Sequence, residues 1–513
     1  MNPEAPVRTW NGRTLHSSTT TEQSQNLKVA RQLDSWGNSI SEALVFVPSP
    51  LEGWGLRKLF SALPQSSCVV LLEKEPELAK LGGKHDERAF WLESDTEEAV
   101  RELFSKLPLA SLRRCLWLPL NGGWLLNGPR YREVFKRLEG GLATYWSNRM
   151  TSLHLGPLWV RNLFDNLADP DFKSTPWPQW LSEPVVVCGA GTSLESWLPL
   201  LKQHRQKIRI LAADTALPIL CAVGIEPDGV VCLEAQQVNL RDFLPAAGRK
   251  VALFAELSSH PATRRALDGQ VYWFATKFAE LQFWENWPFA EAIPFFSPMG
   301  SVGVAAVAVA LRLTSGSVFL TGLDFSWPRG CSHARGAPAH TSRLFAAKRV
   351  LSVEQPGTWS SSSNVAVEGN PKHRTTGILK GYAAALAGLV RPVAHRVSVL
   401  GFEGLELGLE RRREWPQLLN NQLVQAPVLE SRVSENGSFI LRREHDKLSA
   451  LLDSFDALNR GEDIWVSLQR QLQELDYLYF SFADPELRLE SGYLSRIKVV
   501  ASWLVSRLSE RLS

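Results

Sequence analysis

A glycine turn interrupts an apolar, valine-rich run in the middle of the chain. In the stretch PVVVCGAGTSLESW, Gly189 and Gly191 stop the run, and Thr192 and Ser193 follow. Glycine permits a tight turn and a close backbone approach, and Thr192 with Glu195 fits the capping box that starts a helix. A helix N-terminus after a parallel strand is a natural site for phosphate or carboxylate. The stretch therefore predicts an anion-binding turn, and the alternative is a tight turn with no ligand.

Polar residues also follow the other apolar runs of this region. Asp214 follows ILAA, Glu234 follows VVCL, and Asp324 follows FLTGL. Gly300 and Ser301 end the segment SPMGS. Open α/β sheets bind ligands at the carboxyl ends of their strands, so we expect these residues to share a site with the glycine turn. Any one acidic residue among them has the alternative role of capping the helix that follows it.

A polar loop beyond Asp324 carries residues suited to proton transfer. The segment LDFSWPRGCSHARGAPAH places His333 nine residues after Asp324. Imidazole titrates near neutral pH and is the commonest general acid or base. We therefore predict that His333 and Asp324 are catalytic, against the alternative that His333 is structural.

A parallel sheet is needed to bring these residues together. Short apolar runs alternate with helix-length segments through the middle of the chain, which predicts an α/β fold with a doubly wound, mostly parallel, Rossmann-like sheet. The predicted strands are 184–188, 208–213, 229–234, 250–255, 270–275, 317–322 and 395–401.

Other regions flank this central sheet. The runs ALVFVP and CVVLLEKEPEL enclose a helix-like stretch and predict a smaller N-terminal α/β domain. Apolar positions recur at helical spacing after residue 412 and predict a helical C-terminal domain. The Ser-, Gly- and Pro-rich stretch 356–373 is the best candidate for a mobile loop or lid. The predicted divisions are a flexible N-terminus at 1–30, an N-terminal domain at 31–142, a central domain at 143–411 and a C-terminal domain at 412–513.

Composition and charge exclude several classes of function. The chain has 513 residues and a net charge of +3, without a long Lys/Arg block, so nucleic acid is not a favoured partner. Its six cysteines form no C-x-x-C pair, which favours buried, reduced thiols over a zinc site or disulfides. Neither a signal peptide nor a long charge-free apolar run is apparent, so we expect a cytoplasmic protein without a membrane span.

Several motifs in order along the chain resemble a known family. VVVCGAGTSLE, ILAADTALPILCAVGIEPDGVVCLEAQ, SPMGSVGVAAVAVAL and VFLTGLDFSWPRGCSHARG are similar to the central domain of the motility accessory factor (Maf) flagellin glycosyltransferases, also described as 6-hydroxymethylpterin pyrophosphokinase MptE-like. The resemblance extends over roughly 145–410 and includes WVRNLFDNL before the domain. Thr192 stands where the family usually has proline, and Glu234 where it usually has aspartate.

The resemblance implies a reaction and a set of site residues. The reaction is transfer of a nonulosonic, sialic-acid-like sugar from a CMP-activated donor to Ser or Thr of flagellin or another protein, on a fold similar to bacterial sialyltransferases. No cofactor or metal is firmly implied. The implied donor-binding residues are Gly189, Gly191, Thr192, Ser193, Asp214, Asp228, Glu234, Gly300 and Ser301, and Asp324 and His333 complete the pocket.

Two other functions fit the same residues. The first is pyrophosphoryl transfer from ATP to a pterin, in which Asp214, Glu234 and Asp324 would hold Mg²⁺. The second is a non-catalytic scaffold that engages flagellin through the helical C-terminal region. The oligomeric state does not follow from the sequence.

Overall fold

The computed structural model of the protein describes residues 9–17, 19–80, 86–276, 281–285, 287–289, 292–328, 330–349, 364–416, 437–482 and 490–513. These residues divide into two compact units, one of residues up to Leu153 with Phe482, and one of the other residues from His154 onward. Helix α5 contains the boundary between them. All six cysteines are free, and no described helix combines the length and apolar character needed to cross a bilayer.

The first unit is built on a four-stranded parallel sheet in the order β5-β4-β3-β6. Strands β3 and β4 are buried along their whole length, as expected for parallel strands covered on both faces. The elements of this part of the chain are β1 Thr9–Trp10, β2 Arg13–Thr14, α1 Glu22–Trp36, β3 Ala43–Pro48, α2 Leu56–Ala62, β4 Cys68–Leu72, α3 Pro76–Ala79, β5 Ala89–Trp91, α4 Glu97–Lys106, β6 Arg114–Trp117 and α5 Gly128–Leu167.

Helix α1 begins inside the segment that the sequence predicts to be a flexible N-terminus. Thr21 caps it by accepting a hydrogen bond from the Ser24 backbone N–H, and the Ser24 hydroxyl accepts one from the Thr21 N–H in return. Val29 of this helix is buried in a cluster with strands β3 and β4. This segment therefore forms a regular helix with one apolar face, although its composition is polar.

The second unit contains a nine-stranded parallel sheet, in agreement with the predicted fold class. A small antiparallel sheet of β14, β16 and β15 accompanies it. The elements are β7 Val185–Cys188, α6 Leu194–Gln203, β8 Arg209–Ala213, α7 Leu217–Ala222, β9 Gly229–Cys232, α8 Leu240–Phe243, β10 Ala252–Glu256, α9 Pro261–Arg264, β11 Val271–Thr276, β12 Phe295–Phe296, α10 Val302–Leu313, β13 Val318–Thr321, β14 Trp327–Pro328, α11 Pro338–Ala346, β15 Val365–Val367, β16 Asn370–Thr375, α12 Gly377–Val390, β17 Val397–Leu400, β18 Glu410–Arg412, α13 Ser438–Asn459, α14 Trp465–Glu474 and α15 Ser491–Leu512.

The order of the large sheet is β12-β11-β10-β9-β8-β7-β13-β17-β18. From β7 the chain adds strands outward on one side as far as β12, and then returns to add β13, β17 and β18 on the other side. The strand order therefore reverses between β7 and β13. In open α/β sheets the ligand-binding crevice lies at the carboxyl ends of the strands at such a switch point.

The predicted lid region has ordered strands at its C-terminal end. Residues 356–363 lie outside the described residues. Residues 365–367 form β15 and pair with β16, whose Arg374 also pairs with Trp327 of β14. This part of the segment therefore belongs to a small sheet, and Gly369, with φ of +74°, lies in the turn between β15 and β16.

Two asparagines of helix α5 fasten it to the strand ends of the large sheet. Asn162 Nδ2 donates to the carbonyls of Ala235 and Ser258 at 2.9 and 3.0 Å. Asn166 Nδ2 donates to the carbonyls of Leu257 and Ser259 at 2.8 and 2.9 Å. Both side chains are buried. They belong to the WVRNLFDNL motif, in which their four-residue spacing places them on one face of the helix.

We expect Asn166→Ala to lower the free energy of unfolding by about 1–3 kcal/mol, because it leaves two buried carbonyls without a donor. Urea unfolding of the full chain measures the change. Asn459→Ala, at the exposed end of α13, is the matched control and should have little effect. Equal stability of the two variants would show that the two hydrogen bonds of Asn166 do not stabilise the fold.

Candidate functional site

Two backbone turns meet where strands β7 and β13 end. The Gly189 N–H donates to the Thr321 carbonyl at 2.8 Å, and the Gly191 N–H donates to the Gly322 carbonyl at 2.8 Å. Gly322 has φ of +67°, a conformation that favours glycine. A Cβ atom at Gly191 would lie 2.5 Å from Asp324 Oδ2 and 2.7 Å from the Gly322 oxygen. The glycines are thus required by the contact between the two turns, before any ligand is considered.

The carboxylate of Asp324 is held by the start of helix α6. It accepts a hydrogen bond from the Ser193 backbone N–H at 3.0 Å and another from the Ser193 hydroxyl. The same hydroxyl accepts from the Gly322 N–H at 2.9 Å. Burial raises the pKa of Asp324, and the hydrogen bonds from Ser193 oppose that shift. Asp324 therefore joins α6 to β13, and the anion-binding capacity of this helix end is used within the protein.

The predicted capping box at Thr192 and Glu195 is wrong. The N-cap is Ser193, and its side chain makes no capping hydrogen bond. Glu195 instead accepts from the Arg335 backbone N–H at 2.8 Å and from Nε of its guanidinium at 2.8 Å. The capping box does not form because the Glu195 carboxylate pairs with the cationic Arg335, which comes from a distant loop.

The loop that carries His333 is fastened on both sides of that residue. The Ala334 N–H donates to the Ala190 carbonyl at 2.8 Å, and the next residue is the Arg335 that pairs with Glu195. The Ser332 hydroxyl lies 3.0 Å from His333 Nδ1. These contacts hold the imidazole beside the glycine turn.

A cleft of about 520 Å³ opens between these elements, at the sheet's switch point. Five predicted site residues line it, namely Gly189, Gly191, Ser301, Asp324 and His333. The sequence reasoning missed several polar or aromatic residues that also line it, namely Thr215, Ser326, Trp327, Ser332, Arg343 and Asn364. The volume is in the range of small-molecule sites.

Six other predicted residues, Asp228 among them, do not line this cleft. Thr192 and Ser193 lie in the turn behind it, and Gly300 precedes Ser301 on the surface. Glu234 accepts from the Gln236 N–H of its own loop at 2.9 Å. Asp214 is buried, where it accepts from the Thr215 N–H at 2.7 Å and from other neighbours.

The structure contradicts the placement of Asp228 near the phosphate-facing turn. Its carboxylate accepts from the Ile210 N–H at 2.8 Å and from Arg209 at 3.0 Å. Arg209 is the first residue of β8, and Asp228 directly precedes β9. Asp228 therefore lies at the amino edge of the sheet, because the turn that contains it leads into a strand.

Two positive groups face the cleft. The N-terminus of α10 faces it through Ser301, Val302 and Gly303, and the first N–H groups of a helix have no partner within the helix. Arg343 of α11 lines the cleft and forms no ion pair among the described residues. The α10 end and the Arg343 guanidinium are therefore two separate places where an anionic group can bind.

His333 is prepared to act as a neutral base. Burial lowers its pKa, and the nearby positive groups of Arg343, His340 and Arg241 lower it further. An imidazole that is neutral at pH 7 can accept a proton in the cleft. The tautomer depends on which partner donates in the contact with Ser332.

Beneath the cleft wall lies a pair of buried acids. Asp214 accepts from the hydroxyl of the cleft-lining Thr215 at 3.1 Å and from Asn239 Nδ2 at 3.0 Å. Burial, followed by the charge of Asp242, raises the pKa of Asp214 to about 7. Burial likewise raises the pKa of Asp242 to about 6. Asp214 thus fixes the position of the Thr215 hydroxyl at the cleft wall by accepting its hydrogen bond.

The three carboxylates predicted to hold Mg²⁺ do not form a metal site. Asp214, Glu234 and Asp324 belong to the separate hydrogen-bond networks described above. Within the described ranges, no three His, Cys, Asp or Glu side chains come together as possible metal ligands. These residues therefore do not fit a magnesium ion held by the three carboxylates.

Residues 159–330 match the family model of 6-hydroxymethylpterin diphosphokinase MptE-like. This stretch, about a third of the chain, is similar to that family. The region contains β7 to β13, the glycine turn and the α10 N-terminus, and it includes most of the motifs that carry the resemblance.

Comparison with known proteins extends beyond this stretch. The chain shares the fold of the Maf glycosyltransferase from Magnetospirillum magneticum AMB-1, with a TM-score of 0.54 and 12% identity over 97% of this chain and 84% of that one. An uncharacterized protein of Treponema pallidum (strain Nichols) is 32% identical over 316 residues, 59% of this chain and 55% of the relative. Another from the same strain is 31% identical over 100 residues, 19% of this chain and 48% of the relative. The chain thus spans about half the length of these curated relatives.

We expect Gly191→Ala to destabilise the matched region by about 1–3 kcal/mol, because its Cβ would press on Asp324 and on the Gly322 backbone. This variant cannot test ligand approach alone. Gly381→Ala is the matched control, since no neighbour lies within 4 Å of a Cβ there. In the middle of α12, that change should be neutral or stabilising. Thermal unfolding of both variants measures the difference in stability. The expectation fails if Gly191→Ala is as stable as Gly381→Ala.

The raised pKa of Asp214 predicts a pH-dependent stability. Its folded value of about 7 exceeds the ordinary 3.8, so the folded state holds the proton more tightly than the unfolded state. The free energy of unfolding should therefore fall as pH rises from about 4 to about 7. In Asp214→Asn this decrease should be shallower, as measured by urea unfolding across that window. The exposed Asp446→Asn should keep the wild-type slope, and an unchanged slope in Asp214→Asn would contradict the assignment.

Proposed function

We propose that the protein is a glycosyltransferase that moves a nonulosonic, sialic-acid-like sugar from a CMP-activated donor to a Ser or Thr hydroxyl of flagellin, in support of flagellar assembly. The observation that carries the proposal is the cleft at the switch point, where the α10 N-terminus and Arg343 provide two sites for anionic groups. Such a donor has two anionic groups, the phosphate of CMP and the carboxylate of the sugar. The shared fold with a Maf glycosyltransferase supports the same reaction class.

In the proposed reaction the sugar's bond to the phosphate oxygen breaks, and CMP leaves with the bonding electrons. Positive charge develops on the sugar ring as the acceptor oxygen forms the new bond. His333, neutral because its pKa is lowered, takes the proton of the acceptor hydroxyl. The α10 N-terminus stabilises the negative charge that develops on the departing phosphate. The half-buried Trp327 offers an aromatic face for the cytosine base.

A second candidate is diphosphate transfer from ATP to a hydroxymethylpterin, which is favoured by the name of the matching family model. That reaction needs carboxylates to hold Mg²⁺ against the ATP phosphates. Asp324 is the single carboxylate among the described residues that line the cleft, and Ser193 already holds it. The cleft therefore favours the CMP-linked donor. We further propose that the reaction takes place in the cytoplasm, where the protein would meet flagellin subunits before export.

Arg343 and His333 should have separable effects. Arg343→Ala removes a charged hydrogen-bond donor for the sugar carboxylate and should weaken binding of the CMP-activated sugar about 10–150-fold, while CMP alone should bind like the wild type because its phosphate lies at the α10 N-terminus. His333→Asn should bind CMP like the wild type and keep its melting temperature, while CMP release from the activated sugar in the presence of flagellin falls about 10²–10⁴-fold. Calorimetric titration, thermal unfolding and a release assay on the same preparations measure the three quantities.

The exposed Arg101→Ala serves as a control for loss of a positive charge elsewhere. Tight binding of ATP with Mg²⁺ and none of CMP would favour diphosphate transfer. Donor binding without any sugar transfer would favour a scaffold. Normal transfer by His333→Asn, or a loss that only follows unfolding, would remove His333 from the mechanism.

A further inference from the structure

The elements that wall the cleft carry exposed apolar side chains next to the residues that line it. Leu344 and Phe345 follow the cleft-lining Arg343 on α11, and the Phe345 side chain is 85% exposed. Val365 follows the cleft-lining Asn364 and is 40% exposed. These three residues come from two walls that are separate in sequence.

A third wall repeats the pattern. Ile378, near the start of α12, is 68% exposed and precedes the cleft-lining Leu379. Successive side chains point about 100° apart on a helix and to opposite faces on a strand. The neighbours of the cleft-lining residues therefore point in other directions, and their exposure places them on the surface outside the cleft. We call Leu344, Phe345, Val365 and Ile378 the apolar rim.

Exposed lysines lie on these elements or close to them in sequence. Lys348, Lys372 and Lys380 are exposed, and none has an acidic partner in the part of the chain that the structure describes. Between residues 338 and 349 and between 364 and 380, the sequence has six Lys or Arg and a single acidic residue, Glu368. A surface of this kind is complementary to an acidic partner.

The cleft has room for the donor and not for a folded acceptor as well. A volume of about 520 Å³ suits one small molecule. A polypeptide that presents one hydroxyl to the cleft must rest its remaining surface on the outer walls. An acceptor as small as a pterin needs no such outer surface.

We propose that the apolar rim and its surrounding lysines are the docking surface for an acceptor polypeptide that presents its hydroxyl between apolar and acidic side chains. This inference rests on the proposed transfer to a protein. Apolar anchors supply most of the affinity in such contacts, and the lysines attract the acidic residues of the partner and fix its orientation.

Three labelled 20-residue peptides with one Ser test the surface by fluorescence anisotropy with the full chain. One has Leu and Glu around the Ser, the second has Lys in place of Glu, and the third has Asn in place of Leu. The first should bind at least about tenfold more tightly than the other two, and its affinity should fall as salt rises. Binding of all three with similar affinity would overturn the proposal.

Substitutions locate the contact. Phe345→Ser with Ile378→Ser, and separately Lys348→Glu with Lys380→Glu, should each weaken binding of the acidic peptide at least about tenfold. Val466→Ser removes a side chain that is 86% exposed on α14 and is the matched control. Equal binding by the rim variants and this control would overturn the proposal. So would loss of a dimer in the rim variants by sedimentation, because the rim would then bind a second copy of this chain.

CMP titration of the same variants separates this inference from the proposed function. The rim variants should bind CMP like the wild type, because none of the four substituted residues lines the cleft. Retained CMP binding with no peptide preference would overturn only the rim. Peptide binding that depends on the rim, in a protein that binds no CMP, would overturn the donor assignment and leave the rim intact.

Discussion

The close approach of the turns after β7 and β13 is the constraint on which the rest of the site depends. Two backbone hydrogen bonds join these turns, and the space between them excludes a Cβ at Gly191. The Ser193 side chain then connects the Gly322 N–H to Asp324. Because both turns are fixed, the chain that leaves β13 must start from one position beside helix α6. The cleft wall is built outward from that point.

This constraint also determines which helix end is available to a ligand. In the sequence, the turn before α6 has the features of a phosphate site, yet its N-terminal N–H at Ser193 is satisfied by Asp324. A buried carboxylate at that position neutralises the positive end of the helix. Among the described residues, no side chain caps the start of α10, which opens on the cleft through Ser301. The helix N-terminus that can bind an anionic ligand is therefore that of α10, which precedes β13, and not that of α6, which follows β7.

The sequence predicted the sheet and the place of the site because both follow from local patterns. The strands are apolar runs separated by helices, and their carboxyl ends must meet at one edge. Residues whose roles depend on distant partners were not predictable in this way. Glu195 fits a local cap, but Arg335 takes it. Asp228 directly precedes β9, and its carboxylate accepts from the Ile210 N–H at the amino edge of the large sheet. The sequence does not single out Arg343, because its helix directly follows the polar loop, although its three-residue spacing from His340 is a helical signal.

The limits of the matched domain explain why one fold can support two different reactions. The MptE-like match ends at residue 330, so it contains the glycine turn, the α10 N-terminus and Asp324 but not His333, Arg343 or Asn364. The shared part is a cradle for an anion, and a cradle of this kind suits a CMP phosphate or an ATP phosphate equally well. The cationic and basic groups that would choose between sugar transfer and diphosphate transfer come from the segment inserted between β13 and β17. The chemistry of this protein should therefore be judged from that segment, since the fold alone does not determine it.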